Sequence, residues 1–253
     1  MLPIDQGVEL GGIAMLSGRA AYRISLVGAA VVMSLVGLAQ LMPDPAPTCG
    51  GLDEGYETIA AFELVRSVAD LQAIFGVADD GCRKAIVKSL HTTNVIDAAV
   101  YIPTYTLFLV FVLLGLRAGS VAGTWARTIA GAGAAIAFAS ALADYVENTA
   151  LFQLEAAIDA TSVWIPVLIG ATNFKWIGLG LASSLGGVVL WQRGGLARLA
   201  ILPCAAALVM GLVALGSPAT GGPWLLRAMT VAWLPLLAVA LAGVFGRRAA
   251  SQE

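Results

Sequence analysis

Six runs of this chain are apolar over lengths that leave few ways to fold. They cover about 24–42, 95–116, 128–146, 173–191, 199–215 and 225–245, and are built mainly from Ala, Leu, Gly and Val. About 20 such residues cross the hydrocarbon of a bilayer as a helix. Inside hydrocarbon every backbone N–H and C=O must be satisfied within the segment itself. The expected fold class is therefore all-α: a polytopic membrane protein with a six-helix antiparallel transmembrane bundle, one integral domain over 1–253. Composition agrees, since 59% of residues are hydrophobic and 12% charged, with mean hydropathy +0.87. An ordinary soluble domain carries about 25% charged residues. An outer-membrane barrel would show alternating strands of about ten residues instead. A net charge of −2 and the lack of a long basic run exclude nucleic acid as a partner. The bilayer is the partner that the composition names.

Taken in order, residues 1–21 form a weakly amphipathic lead. The run 24–42 competes with a cleaved signal peptide, whose apolar core is about 7–15 residues. It is longer than that and ends at Met42-Pro43, so it is read as the first span. Residues 43–94 are the one sizeable polar region, too small for a separate enzyme core. They read as an extracytoplasmic helical insertion, a small periplasmic cap between helices 1 and 2, and as a docking surface for any protein partner. Asp44-Pro45-Ala46-Pro47 and Gly50-Gly51 start it as irregular chain. Ser67-Val68-Ala69-Asp70 has the form of a capping box, with Gly76 as the stop. Asp79 or Asp80 then caps a helix through Cys82, Lys84 and Lys88 directly into helix 2, which Pro103 kinks. Helices 3 and 4 are dense in small residues, which let helices approach closely in lipid. Leu151, Leu154 and Glu155 keep helical spacing, so helix 3 projects beyond its span.

Basic residues orient the bundle. With the N-terminus inside, the inner flanks hold Arg19 and Arg23, Arg117 and Arg127, Arg193 and Arg198, and Arg247 and Arg248. Most acids, including Asp44, Asp53, Glu54, Glu57, Glu63, Asp70, Asp79, Asp80, Glu155 and Asp159, fall on outer connections. A multi-pass protein of the bacterial inner membrane, with both termini cytoplasmic, is the resulting expectation.

That orientation gathers the unusual residues at the outer helix ends. Asp144, Glu147 and Asn148, at i, i+3 and i+4, share one face of helix 3. Asp97 opens helix 2, with Tyr101 and Tyr105 on its face; Lys175 opens helix 4 and Arg227 opens helix 6. Ionisable groups at a span need partners. Two adjacent acids require either a cation between them or a bound proton. The expected cluster is Asp97, Tyr105, Asp144, Glu147, Asn148 and Lys175. Two readings of it stand: an ion-pair clamp that sets helix register, or an outward-facing pocket for a cation, a proton or a polar head group. Arg227, three residues after Trp224, reads as an interfacial residue with its charge drawn to water.

The other candidate chemistry is thin. His91 is the one histidine, too few for haem, zinc or di-iron ligation, so no metal and no cofactor are expected. Gly131-Ala132-Gly133 follows no strand and is packing, and Ser140, Ser183 and Ser184 lack a nucleophile elbow. Trp164, Trp176, Trp191 and Trp224 read as interfacial belts, and Trp233 as packing. Cys49 and Cys82 share the polar region and are either a disulfide or two thiols, depending on the compartment.

Phe62-Glu63-Leu64, a short helix, Asp97 and a downstream Tyr105, the D-x-x-E-N of Asp144 to Asn148, and Lys175 occur in that order. In this the chain resembles a family of uncharacterised bacterial multi-span membrane proteins, over about 58–176. The resemblance groups these residues and implies no substrate. Three function classes follow. The first is a structural or accessory membrane protein, the second a small cation- or proton-coupled carrier titrating at Asp144 and Glu147. The third is an intramembrane enzyme acting on a lipid head group, with one of those acids as general acid/base. No nucleophile or phosphate loop favours the third, and no repeated halves favour the second. The accessory class leads.

The orientation predicts that single cysteines placed near Gly55 are labelled from outside in intact cells and those near Gly195 are spared. Labelling at Gly195 would reverse the orientation.

Overall fold

The computed structural model describes residues 17–39, 49–50, 58–78, 80–121, 124–158 and 162–246. The irregular chain expected at 44–47, Gly51, the Asp79 cap and the Arg247–Arg248 flank lie outside them. Of the described residues 88% are helical and none is in a strand. Five helical stretches among them are long and apolar enough to cross a membrane: Gly81–Ala118, Trp125–Glu155, Trp164–Gln192, Gly195–Gly216 and Trp224–Phe245.

Helix α1 is Gly18–Ala39, followed by the short helices α2 (Thr58–Glu63) and α3 (Val68–Phe75). Ser67 caps α3 by accepting from Asp70 N–H, and Asp70 returns the bond by accepting from Arg66 N–H at 2.8 Å. Gly76 ends α3 at φ 76°, a left-handed conformation that costs glycine little. Asp80 caps α4 (Gly81–Ile96), accepting from Cys82 and Arg83 N–H. A disulfide joins Cys49 to Cys82.

Helix α4 continues into α5 (Ile102–Ala118) through one π turn, Asp97–Tyr101. Ile102 N–H reaches back to Asp97 O, five residues earlier. The next residue, Pro103, has no N–H to give, so the widened turn falls where the regular ladder would fail. The irregularity expected at Pro103 is thus a π turn that starts at Asp97.

The remaining helices are α6 (Trp125–Glu155), α7 (Trp164–Gln192), α8 (Ile201–Gly216), preceded by a 3₁₀ turn over Gly195–Ala200, and α9 (Pro218–Phe245). Helices α6 and α7 are longer at the cap end than the apolar runs 128–146 and 173–191 suggest. At 1.5 Å per residue the 31 residues of α6 reach about 46 Å, well past a hydrocarbon core of about 30 Å. A second hydrophobic core explains the excess. Leu151, Leu154, Ile165 and Leu168 from these extensions pack with Phe62, Leu71, Ile74, Phe75, Ile86 and Leu90 of α2–α4. The main core lies below, among α1 and α5–α9. Helix α1 packs on α5 and α9, α6 on α5 and α7, and α8 on α7 and α9.

Close backbone approach sets the α7–α8 contact. A Cβ on Gly180 would sit 2.6 Å from Leu208 Cα and 2.9 Å from Leu208 N. Backbone cannot swing aside as a side chain can. Gly180→Val is therefore expected to destabilise the bundle by at least about 1–3 kcal/mol, read as a lowered melting temperature in detergent. An unchanged melt would show that α7 and α8 do not pack this closely.

Candidate functional site

The junction between the two cores is where the chain places its buried charges. Lys175 lies about three turns into α7, and its side chain is buried. Its ammonium contacts three carboxylates. It donates to Glu147 of α6 and, at 3.0 Å, to Glu63 at the end of α2; Asp144 Oδ1 lies at 3.3 Å. The Trp176 ring stands below it, 4.5 Å from Nζ to the centroid. That contact is a cation–π interaction in a desolvated place.

The shared face of α6 carries the rest. Tyr105 OH donates to Asp144 Oδ2 at 2.7 Å, tying α5 to α6. Asn148 Nδ2 donates to Asp97 Oδ2 at 2.7 Å and to Asp144 O at 3.2 Å. The structure therefore brings together Asp97, Tyr105, Asp144, Glu147, Asn148 and Lys175. Asp144 is 3% exposed, Glu147 0% and Lys175 3%, so in this conformation the cluster is closed to solvent. Asp97 is half-buried at the π turn, next to Tyr101, whose ring is 5.6 Å from that of Tyr105.

Arg227 does not join the cluster; its guanidinium stacks over Trp224 at 5.1 Å. Trp176 differs from the expected interfacial belt, because it is buried beneath Lys175. His91 pairs with Glu155 at 2.8 Å, and Asn94 donates to the other oxygen of Glu155 at 2.7 Å, a separate link between α4 and α6. Among the described residues no group of three His, Cys, Asp or Glu is placed to hold a metal ion.

Glu63 belongs to the segment that carries the family resemblance, but it stands outside the expected cluster, among the acids of the outer connections. A signal was present: it stands alone between Phe62 and Leu64, both of which are buried. It fastens α2 to α7 twice, because Thr172 Oγ1 also donates to Glu63 O at 3.1 Å. That bond satisfies one of the carbonyls a helix end leaves open. Arg66 adds a third tie by donating to Leu215 O, in the last turn of α8, at 2.9 Å.

Three carboxyl groups thus meet one ammonium, with Asp97 nearby on Asn148. Several ionised carboxylates cannot share a buried space around one cation, and protons are the available remedy. Burial pushes the Glu63 carboxyl above the ordinary carboxylate range, with the Lys175 ammonium opposing and Asp144 adding to the rise. Buried acceptor atoms without hydrogen-bond partners, Glu147 Oε2 and Asn148 Oδ1, sit in the same cluster.

No protein-family model, curated protein or solved structure matches the chain. The geometry alone therefore carries the functional reading.

Removing one member of a buried pair strands the other, at a cost of about 3–5 kcal/mol. Lys175→Met should lower stability by that order. Combining it with Glu147→Gln should cost less than the two single changes together. Additive costs in thermal or denaturant unfolding would mean that Lys175 and Glu147 do not interact.

Proposed function

We propose that the protein is an integral membrane protein of structural or accessory type, in which Lys175 locks a helical cap onto a transmembrane bundle. The supporting observation is that one buried ammonium touches Glu63 of the cap together with Glu147 and Asp144 of α6. On this reading α1, which packs along α5 and α9, is a sixth span. The basic pairs at the helix ends away from the cap put those ends, and both termini, in the cytoplasm of a bacterium. The cap then lies in the periplasm, where an oxidising environment sustains the Cys49–Cys82 bond. Its role is to present a fixed surface to a protein partner. Native purification should recover such a partner with the wild-type chain and lose it with Glu63→Ala/Arg66→Ala, a variant in which the cap is loosened. Recovery of the chain with no partner from mild detergent would count against the accessory role.

The excess of carboxyl groups favours a second reading, a proton-coupled carrier. Here the sign of a pH dependence decides. A carboxyl whose pKa is raised on folding holds its proton more tightly in the folded state. Its stabilising contribution is full below the ordinary glutamate value of 4.5 and is lost as pH rises through the raised value. The melting temperature in detergent should therefore fall across that window, and Glu63→Gln should flatten the fall. A melting temperature that rises over the same window would show that an ionised Glu63–Lys175 pair dominates. That outcome would leave the clamp and remove the proton site.

A further inference from the structure

The end of the bundle away from the cap holds a different constellation. Helix α5 ends at Ala118 with Arg117 in its last turn, and helix α6 begins at Trp125 with Arg127 in its first turn. Between them lies a cavity of about 400 Å³ lined by Arg117, Thr124, Arg127, Thr128 and Gly131. Gly131 of α6 is part of its wall. The place a Cβ would take there is 3.5 Å from Arg117 Cδ and 3.6 Å from its Nε and Nη1. Arg117 thus lies along α6, and two guanidiniums from separate helices border one space.

Nothing among the described residues answers that charge. Among the described residues neither arginine has a carboxylate partner, and the connection that carries them, 117–128, contains no Asp or Glu. The backbone adds to the same field. Thr124 is the N-cap residue of α6, yet its hydroxyl makes no capping bond and donates to Val121 O at 2.7 Å. The first amides of a 31-residue helix are left without a side-chain acceptor. Thr128 lines the same space. Planar forked donors, a hydroxyl and a helix N-terminus together match the oxygens of a phosphate group.

We propose that this cavity binds a phosphate group, supplied by the head group of an anionic phospholipid. A lipid rather than a soluble phosphate is favoured by position. The cavity opens at the end of two membrane-length helices, and Trp125 beside it is 55% exposed, as an aromatic residue at a head-group boundary would be. Placing the site in the inner leaflet rests on the orientation proposed above; the phosphate site itself does not.

The test uses the full chain in nanodiscs of phosphatidylcholine alone or with phosphatidylglycerol, which differ in head-group charge. Native mass spectrometry reads the lipid retained after release. Arg117→Gln/Arg127→Gln should reduce phosphatidylglycerol retention at least about tenfold. Gly131→Val, which adds bulk to the lining without altering charge, should reduce it as well. Arg198→Gln, at an arginine of the same end stacked on Trp191, should leave it unchanged. Melting in phosphatidylcholine alone checks that each variant is folded. Equal loss with Arg198→Gln, or no loss with Gly131→Val, would show diffuse attraction to charge and overturn the site. Stabilisation by millimolar inorganic phosphate in phosphatidylcholine, with no retained phosphatidylglycerol, would overturn the lipid as its source.

Discussion

A lysine ammonium taken out of water costs several kcal/mol unless its charge is met and its protons are bonded, and the cap end of this protein is arranged around that requirement. Lys175 of α7 is reached from α2 and α6 at once. Helix registers are therefore not free. Sliding α6 by one turn along α7 would carry Glu147 about 5.4 Å away and leave the amine among apolar groups. The same slide would break the Tyr105–Asp144 bond and so uncouple α5. Small residues bring the helices close enough for these contacts; Gly178, for example, leaves room for the Ser140 side chain of α6. Apolar packing in lipid is poorly specific about register, because lipid tails are as apolar as Leu. A buried polar contact of fixed length supplies what packing does not.

The cap depends on the same point. Its short helices bury Phe62, Leu71, Ile74 and Phe75 against helix extensions that would otherwise project unsupported into water. Helix α2 alone, six residues long, could not persist, since helices under about 12–15 residues are marginal in water. The disulfide ties the start of the cap to α4, the capping box fixes α3, and Glu63, Thr172 and Arg66 fix α2 to the bundle. Local signals shape the cap, and a charge buried beneath it fixes its position.

That division explains what could be read in the chain. Apolar run length showed the helical class, and capping residues showed the starts of α3 and α4, because those features are local. The grouping of Asp97, Tyr105, Asp144, Glu147, Asn148 and Lys175 was legible from helical spacing together with the cost of charge in hydrocarbon. Glu63 was not. Its partner is 112 residues away, and an acid in a polar segment looks solvated until the segment folds back. The lengths of α6 and α7 were only partly legible for the same reason. Leu151 and Leu154 keep the helical period, but the surface that buries them comes from Phe62 to Leu90. Trp176 looked interfacial because tryptophan usually is; its burial follows from the lysine beside it.

The two ends of the bundle handle charge in opposite ways. At the cap end carboxyl groups outnumber cations but are enclosed, so their balance must be reached inside the protein through Lys175, the tyrosines, Asn148 and bound protons. At the other end Arg117 and Arg127 are only half-buried, with no acid on their connection. Among the described residues no carboxylate balances them. An enclosed balance resists exchange with its surroundings and suits a fixed joint. An open one follows whatever anion the environment offers. Helices α5 and α6 run from one end to the other, with Arg117 and Arg127 bordering the far cavity, and among the described residues the side-chain hydrogen bond that joins them, Tyr105 to Asp144, lies near the cap.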